Sequence, residues 1–348
     1  MQYPVNIGCY TRLASLLIVF SISACGGGGA VPSTYSSSAL EPYGTCNTSP
    51  TQDHEIRYPY LSDEAETPLI DAWNAGVQSG DEQESYLLYV PSDLPDGPVP
   101  LVVVVHGITA NALNFSRKTQ LAATAEERKF ILVFPNGRRS WETSEGSSDV
   151  GYVRDIISDV KSSYCIDERR VWGAGHSMGA MLMHRLACEA GDVFAAMTPT
   201  AGSPQSPCDG GAGPEQHPDY MPIPIATWHG DNDDVVAYSS GRASLAAWVT
   251  RYQCDEEPID VDESSVYGPV ETFGNCKRAD VAAREQAAGT PFVLKFTTFN
   301  GHSHQYPDGC GGQNDANNCL PFMPTTAEMN SQLLNYLETY PRPLSNTD

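Results

Sequence analysis

The clearest chemical feature of the sequence is a serine set between two glycines, in the G-x-S-x-G pattern of residues 175–179. A β-branched segment ends at Ala174, and a helix is predicted to begin near Met178. On such a strand-to-helix turn the flanking glycines let the backbone pass close to its neighbours, and the helix N-terminus favours developing negative charge. We therefore predict that Ser177 is a nucleophile.

A serine hydroxyl is a weak nucleophile near neutral pH, so this prediction requires a base and an orienting carboxylate. In folds with this type of turn they follow in the order serine, acid, histidine, each after a later strand. The segment HGDNDDVV at residues 229–236 follows a predicted strand at 223–228. The segment NGHSHQYP at residues 300–307 follows a predicted strand at 292–299. Both segments therefore lie where the acid and the base are expected.

Alternating strands and helices surround these segments. The continuous apolar run at 101–105 is typical of a strand buried on both faces of a parallel sheet. Further strands are predicted at 85–90, 131–134 and 171–174, and helices at 149–163, 178–189 and 326–339. This alternation predicts a three-layer α/β domain with a mostly parallel sheet. Residues 202–224 and 255–290 are interpreted as excursions from that domain.

The composition excludes one class of partner. The 348-residue chain has 43 Asp and Glu against 20 Lys and Arg, a formal net charge of -23. A surface this acidic repels phosphate backbones and anionic membranes. We therefore expect no nucleic-acid partner. No metal-ligand spacing is evident, and we expect neither a metal nor another cofactor.

The N-terminal segment predicts export. Arg12 precedes an apolar run at 13–22 that is too short to span a bilayer and ends in small residues. We interpret residues 1–24 as a lipoprotein-type signal peptide, because the residues before Cys25 resemble a bacterial lipobox. The alternative is an ordinary signal peptide with an incidental Cys25. Residues 25–58 then form a flexible Gly/Ser/Pro-rich tether and residues 59–348 the catalytic domain. Membrane contact is expected only through a lipid anchor at Cys25, on the outer membrane or cell surface; without it the protein would be periplasmic or secreted.

Cysteine usage agrees with export. Apart from Cys9 and Cys25 the chain has eight cysteines, and an even number in an exported protein indicates disulfides. The sequence does not fix their pairing. Short loops favour Cys310–Cys319, Cys254–Cys276 and Cys188–Cys208, leaving Cys46 with Cys165.

Further motifs lie between about residues 85 and 310. The apolar strand ends in His-Gly at 106–107, an aromatic-Pro-x-Gly strand end occupies 134–137, and Asp-Val-Gly-Tyr begins a helix at 149–152. A Tyr-x-x-Asp-x-x-Arg-Val stretch at 164–171 leads into the serine motif. In combination the motifs resemble the esterase group of polyhydroxybutyrate depolymerases and feruloyl or acetylxylan esterases. The resemblance implies an α/β-hydrolase fold and a serine carboxylic-ester hydrolase.

The resemblance also assigns the acid and the base. In the motif His-Gly-x-x-Asp-x-x-Val the acid falls on Asp233. The base motif is Gly-His-x-Trp-Pro, and two histidines compete for it. His302 matches the Gly-His half, whereas His304 precedes Tyr306 and Pro307 and matches the second half. We favour His304, with His302 as the alternative base and otherwise a loop residue that lines the site.

An oxyanion hole needs two backbone N–H groups directed at the developing charge. We expect these from Met178, directly after the nucleophile, and from Ile108, after His-Gly at the strand end. Trp141 is either a substrate contact or a packed aromatic. The histidines beside the motifs are expected to support turns by hydrogen bonding: His106, His176 and His229.

Three functions are compatible with these residues. An esterase acting on feruloyl, acetyl or hydroxyalkanoate esters fits the resemblance. A serine peptidase of the same fold would use the same triad, and an inactive binding protein would have lost one of its members. A candidate exists for each member, which favours an enzyme. The natural ester and the oligomeric state do not follow from the sequence.

Overall fold

A computed structural model describes residues 85–137, 140–204, 221–265, 267–307 and 326–342. The predicted signal peptide at 1–24, the tether at 25–58 and the start of the domain at 59 lie outside the described residues. In the part of the chain that is described, no helix is both long enough and apolar enough to cross a bilayer.

A single mixed sheet runs through the described residues. Its strands are β1 (Ser85–Tyr89), β2 (Val99–Val105), β3 (Ile131–Asn136), β4 (Ile166–His176), β5 (Ala196–Thr200), β6 (Ala226–Gly230), β7 (Asp260–Asp262), β8 (Val270–Phe273) and β9 (Leu294–Phe299). The strand order is β1-β3-β2-β4-β5-β6-β9-β8-β7. Strands β3, β2, β4, β5, β6 and β9 are parallel, whereas β1, β8 and β7 are antiparallel to their neighbours. The predicted mostly parallel α/β architecture is therefore confirmed.

Helices cover both faces of this sheet. They are α1 (Ala112–Thr119), α2 (Leu121–Arg128), α3 (Ser148–Ser163), α4 (Met178–Glu189), α5 (Tyr238–Tyr252), α6 (Ala279–Ala288) and α7 (Thr326–Thr339). Side chains alternate across β2, so Val103 joins the core beneath α3, α4 and α5, while Val104 joins the core beneath α1, α2 and α7. This explains why β2 is apolar at every position, since both of its faces are buried.

The acidic segment 255–290 is better described as part of the sheet than as an excursion from it. It contributes β7 and β8, which extend the sheet at its edge, and helix α6. The predicted disulfide Cys254–Cys276 is present and closes the segment that contains both strands. Cys165 and Cys188 are also disulfide-bonded. The other cysteines of the predicted pairs lie outside the described residues: Cys46, Cys208, Cys310 and Cys319.

One buried histidine stabilises the packing of two helices, α4 and α5. His184 of α4 is 2% exposed, and its Nδ1 accepts a hydrogen bond from Trp248 Nε1 of α5 at 3.0 Å. Burial lowers the pKa of His184 to about 4, because the protein interior solvates an imidazolium poorly. His184 is therefore neutral in the folded protein at neutral pH.

This burial makes stability depend on pH. The folded-state pKa of His184 lies below its unfolded value of 6.5, so the unfolded state binds more protons between pH 6.5 and about 4. The free energy of unfolding should therefore fall as the pH decreases through this interval, by up to about 1 kcal/mol per pH unit from His184. Urea unfolding at pH 7 and pH 5 should show a smaller loss for His184→Leu than for the wild type. Equal losses of unfolding free energy in the two proteins would contradict a neutral His184 with a lowered pKa.

Candidate active site

The nucleophile candidate lies on the strained turn between β4 and α4. Ser177 has a φ of 56° and a ψ of -121°, a region that residues with a side chain rarely adopt. Its N–H donates to the carbonyl oxygen of Thr200 at 2.9 Å. A Cβ added at Gly175 would lie 2.5 Å from the carbonyl oxygen of Gly179, and one added at Gly179 would lie 2.2 Å from that of Val105. Both glycines of the motif are therefore required for the turn to close.

The acid candidate lies in the loop after β6. The carboxylate of Asp233 is fully buried, and its Oδ1 accepts from the backbone N–H groups of Val235 at 2.9 Å and Val236 at 2.8 Å. His229 Nε2 lies 2.8 Å from the carbonyl oxygen of Val236 and 3.2 Å from Asp233 Oδ2. Asp231 and Asp234, the other acids of the loop, are exposed. The loop thus turns one of its three carboxylates inward and fixes its orientation.

The base candidates lie in the loop after β9. His304 Nε2 is 2.8 Å from Ser177 Oγ, and His304 Nδ1 is 2.8 Å from Asp233 Oδ2. His302 is 1% exposed, its Nδ1 donates to the carbonyl oxygen of Ser303 at 2.7 Å, and its ring packs on Phe299. The structure therefore brings His304, and not His302, to the serine. His302 is buried under the loop and is not the lining residue that we expected.

The hydrogen bonds assign the His304 tautomer. A carboxylate oxygen only accepts, so Nδ1 carries the proton that faces Asp233. The unprotonated Nε2 then faces the hydroxyl of Ser177. The imidazole is therefore placed to receive the hydroxyl proton, and the carboxylate is placed to stabilise the imidazolium that would form.

The oxyanion-hole candidates lie on the two elements that flank the serine. Met178 is the first residue of α4, where a backbone N–H has no partner within the helix. The β2 end passes against the turn, because a Cβ added at Gly107 would lie 3.1 Å from Ser177 Cβ. Ile108 follows Gly107, and its side chain is 52% exposed. The two backbones predicted for the oxyanion hole thus adjoin the nucleophile.

The loop after β3 is packed beneath the site. Trp141 is 3% exposed, and its Nε1 donates to the carbonyl oxygen of His106 at 2.8 Å. His106 Nε2 accepts from Gly137 N–H at 3.1 Å, and burial lowers its pKa to about 4. A buried ion pair of α4 holds the same loop, since Arg185 donates to Thr143 O and Glu189 accepts from Gly146 N–H. Trp141 is therefore a packed aromatic that supports the β2 end.

The loop after β9, residues 300–307, is called the base loop, and the contacts that fix it were not predicted from the sequence. Lys118 Nζ of α1 donates to Gln305 Oε1 at 2.6 Å, and Tyr306 OH donates to Asn330 Oδ1 of α7 at 3.1 Å. His176 Nε2 lies 2.9 Å from the carbonyl oxygen of His304. These partners are distant in the chain, so no local pattern could have revealed them.

Among the described residues, no group of three or more His, Cys, Asp and Glu is arranged to hold a metal ion.

Comparison with known proteins agrees with the earlier resemblance. Residues 84–205 match the family model described as esterase PHB depolymerase. A bifunctional acetylxylan esterase/xylanase of Neocallimastix patriciarum is 30% identical over 52% of this chain and 25% of its own length. Poly(3-hydroxyalkanoate) depolymerase C of Paucimonas lemoignei is 26% identical over 72% of this chain and 64% of its own length. The chain thus spans less than two thirds of the length of these relatives.

A solved structure supports the fold. An acetyl xylan esterase from Aspergillus awamori superposes with a TM-score of 0.52 at 19% identity, covering 65% of this chain and 90% of that one. The family match includes Ser177 and the β2 end, whereas Asp233 and His304 lie beyond it. The chain is therefore similar to the esterase PHB depolymerase family over residues 84–205, and the described residues adopt an α/β-hydrolase fold.

Proposed function

We propose that this protein hydrolyses carboxylic esters through an acyl-enzyme on Ser177, with His304 as general base and Asp233 as the residue that orients it. The observation that carries the proposal is a pair of 2.8 Å contacts. One joins the Ser177 hydroxyl to the His304 imidazole, and the other joins that imidazole to the Asp233 carboxylate. The family of residues 84–205 supports ester hydrolysis as the reaction class.

In the first half of the proposed cycle, Ser177 Oγ attacks the carbonyl carbon of the ester while His304 Nε2 takes the hydroxyl proton. The carbonyl oxygen becomes an oxyanion, which the N–H groups of Ile108 and Met178 would stabilise. The C–O bond to the alcohol then breaks, and His304 returns the proton to the leaving oxygen. The acyl group remains on Ser177.

In the second half, a water molecule takes the place of the alcohol. His304 accepts a proton from the water, whose oxygen attacks the acyl carbon, and the proton then passes to Ser177 Oγ as the acid leaves. Asp233 keeps the Nδ1 proton in place through both halves, because its Oδ1 accepts from two backbone N–H groups and so holds Oδ2 towards His304. The cycle thus uses only side chains, backbone and water.

The exposed apolar side chains favour an ester with an apolar portion. Among the described residues the large hydrophobic side chains that are exposed are Ile108 (52%), Val235 (67%), Ile259 (47%) and Val261 (44%). Ile108 follows Gly107, where an added Cβ would lie 3.1 Å from Ser177 Cβ, and Val235 N–H donates to Asp233. Two of the four therefore border the candidate triad, where the acyl or alcohol part of a substrate would lose contact with water.

The proposed location is outside the cytoplasm. The disulfide Cys254–Cys276 supports passage through an oxidising compartment. The lipobox-like residues before Cys25 support a lipid anchor, which palmitate incorporation and globomycin-sensitive cleavage of the signal peptide would test. An unmodified mature N-terminus would contradict the anchor and leave the ester hydrolase proposal intact.

Replacing the nucleophile tests the proposed reaction. Ser177→Ala should lower kcat for p-nitrophenyl butyrate by at least about ten-thousand-fold, because no acyl-enzyme can form. A panel of methyl ferulate, acetylated xylan and hydroxybutyrate oligomers, with this variant as the blank, would identify the ester. Turnover of peptide anilides without ester turnover would instead indicate the peptidase, and wild-type activity no higher than the blank on any substrate would indicate the binding protein.

The acid loop provides a matched pair of variants. Asp233→Asn should lower kcat on the order of a thousandfold or more, because the amide no longer favours the Nδ1–H tautomer of His304. Asp234→Asn removes one charge from the adjacent, exposed position and should leave kcat within about twofold. Equal activities of the two variants in a p-nitrophenyl butyrate assay would contradict the role of Asp233.

The apolar border makes a prediction about substrate preference. Ile108→Ser and Val235→Ser should each lower kcat/KM for p-nitrophenyl butyrate by about threefold to tenfold more than for p-nitrophenyl acetate, because the longer acyl chain buries more apolar surface. Val261→Ser is the matched control, since Val261 is equally apolar but lies on the edge strand β7. If the preference for butyrate over acetate changes equally in all three variants, Ile108 and Val235 do not contact the acyl chain.

A further inference from the structure

We propose that His176 is a positioning residue for the base, acting through a hydrogen bond from its Nε2–H to the backbone carbonyl of His304. The donor and acceptor are 2.9 Å apart and 128 positions apart in the chain. His176 is the last residue of β4 and directly precedes Ser177. The bond therefore ties the strand that carries the nucleophile to the loop that carries the base. This inference rests on the proposed function.

The direction of the bond follows from its acceptor. A carbonyl oxygen only accepts, so Nε2 of His176 must carry a hydrogen. Burial lowers the pKa of His176 to about 3, with smaller contributions from the nearby His304 and Lys118, so the ring stays neutral in use. The neutral ring with a hydrogen on Nε2 has none on Nδ1. His176 is thus a fixed donor that neither takes nor gives a proton during turnover.

The ring of His176 is held on both sides. Phe115 of α1 stacks on it with ring centroids 6.1 Å apart at 29°, and Tyr306 of the base loop meets it edge-on at 6.1 Å and 78°. The imidazole of His304 lies 5.1 Å away and tilted. His176 cannot swing away from the carbonyl without disturbing these packed rings. The bond therefore fixes the main chain of His304, independently of the contacts that the His304 side chain makes with Ser177 and Asp233.

The main chain of His304 needs such a restraint. The loop leaves β9 at Phe299 and turns at Gly301, whose φ of 73° is readily adopted by glycine and whose N–H donates to Asp231. That contact holds the turn three residues before His304, and the bond from His176 holds the chain at His304 itself. A displacement of the imidazole by about 1 Å from its reacting partner can cost about a hundredfold in rate. Without the donor on His176, the carbonyl of His304 would be a partly buried acceptor lacking this partner, and we expect the loop to shift so that the carbonyl meets water.

The test compares donors at one position. In His176→Gln the amide nitrogen reaches the place of Nε2 and can donate, whereas His176→Leu and His176→Met fill the space without a donor. Each enzyme is titrated with a fluorophosphonate run to completion, and kcat and KM for p-nitrophenyl butyrate are expressed per titrated serine. This normalisation removes the effect of any misfolded fraction.

We expect kcat per titrated serine to fall by about tenfold to a hundredfold in the Leu and Met variants, with KM within about twofold of the wild type. The Gln variant should stay within about threefold. His184→Leu is the matched control, because His184 is also buried and neutral but contacts Trp248 and not the base loop. It should lower the free energy of unfolding and leave kcat per titrated serine unchanged.

Two results would overturn the role of His176: a Leu or Met variant that keeps kcat per titrated serine within about twofold, or a Gln variant as slow as the Leu variant. If neither apolar variant folds, the ring-nitrogen NMR shifts of the wild type decide. They should report a neutral ring with the hydrogen on Nε2, and a hydrogen on Nδ1 alone would overturn the bond. Failure of the proposed function is distinguishable, because it would appear without any His176 variant, either as a wild type that turns over no ester or as ester turnover that survives Ser177→Ala.

Discussion

The candidate site depends on one imidazole that must satisfy two partners at once. His304 reaches Ser177 Oγ with one ring nitrogen and Asp233 Oδ2 with the other, each at 2.8 Å. Those partners come from different loops, so the ring is correctly placed only when the ends of β4, β6 and β9 keep their spacing. The parallel sheet supplies that spacing, because the carboxyl ends of parallel strands meet at one edge of the sheet. The architecture is thus a precondition of the chemistry.

Holding the site together has a structural cost that the surroundings offset. Ser177 has a positive φ, a strain on the order of 1–3 kcal/mol that persists only where the surroundings impose it. Close packing of Gly175 and Gly179 imposes it here. Buried neutral histidines then join the strand ends: His106 links β2 to the loop after β3, and His176 links β4 to the base loop. Each histidine makes a hydrogen bond to a loop backbone group that would otherwise need a water molecule as its partner.

The sequence predicted the parts of this arrangement that leave a local pattern. The apolar strand at 101–105, the helix beginning at Met178 and the turn at Ser177 follow from periodicity and glycine spacing, and all three are present. The edge strands β7 and β8 were not predicted, because they are short and acidic, and their pairing with β9 is a long-range event. The spacing to Pro307 led to the choice of His304 over His302. The packing of His304 against His176 is visible only in the structure, because the two residues are far apart in the chain.

The most direct test of the account is covalent labelling of the wild-type protein with a fluorophosphonate, followed by peptide mass spectrometry. A line of hydroxyl, imidazole and carboxylate should activate one serine above all others, so we expect a single adduct on the peptide that contains Ser177. The labelling rate should fall at least a thousandfold in His304→Ala and remain unchanged in His302→Ala if that variant folds normally. An adduct on another serine, or labelling of Ser177 at the wild-type rate in His304→Ala, would contradict the account.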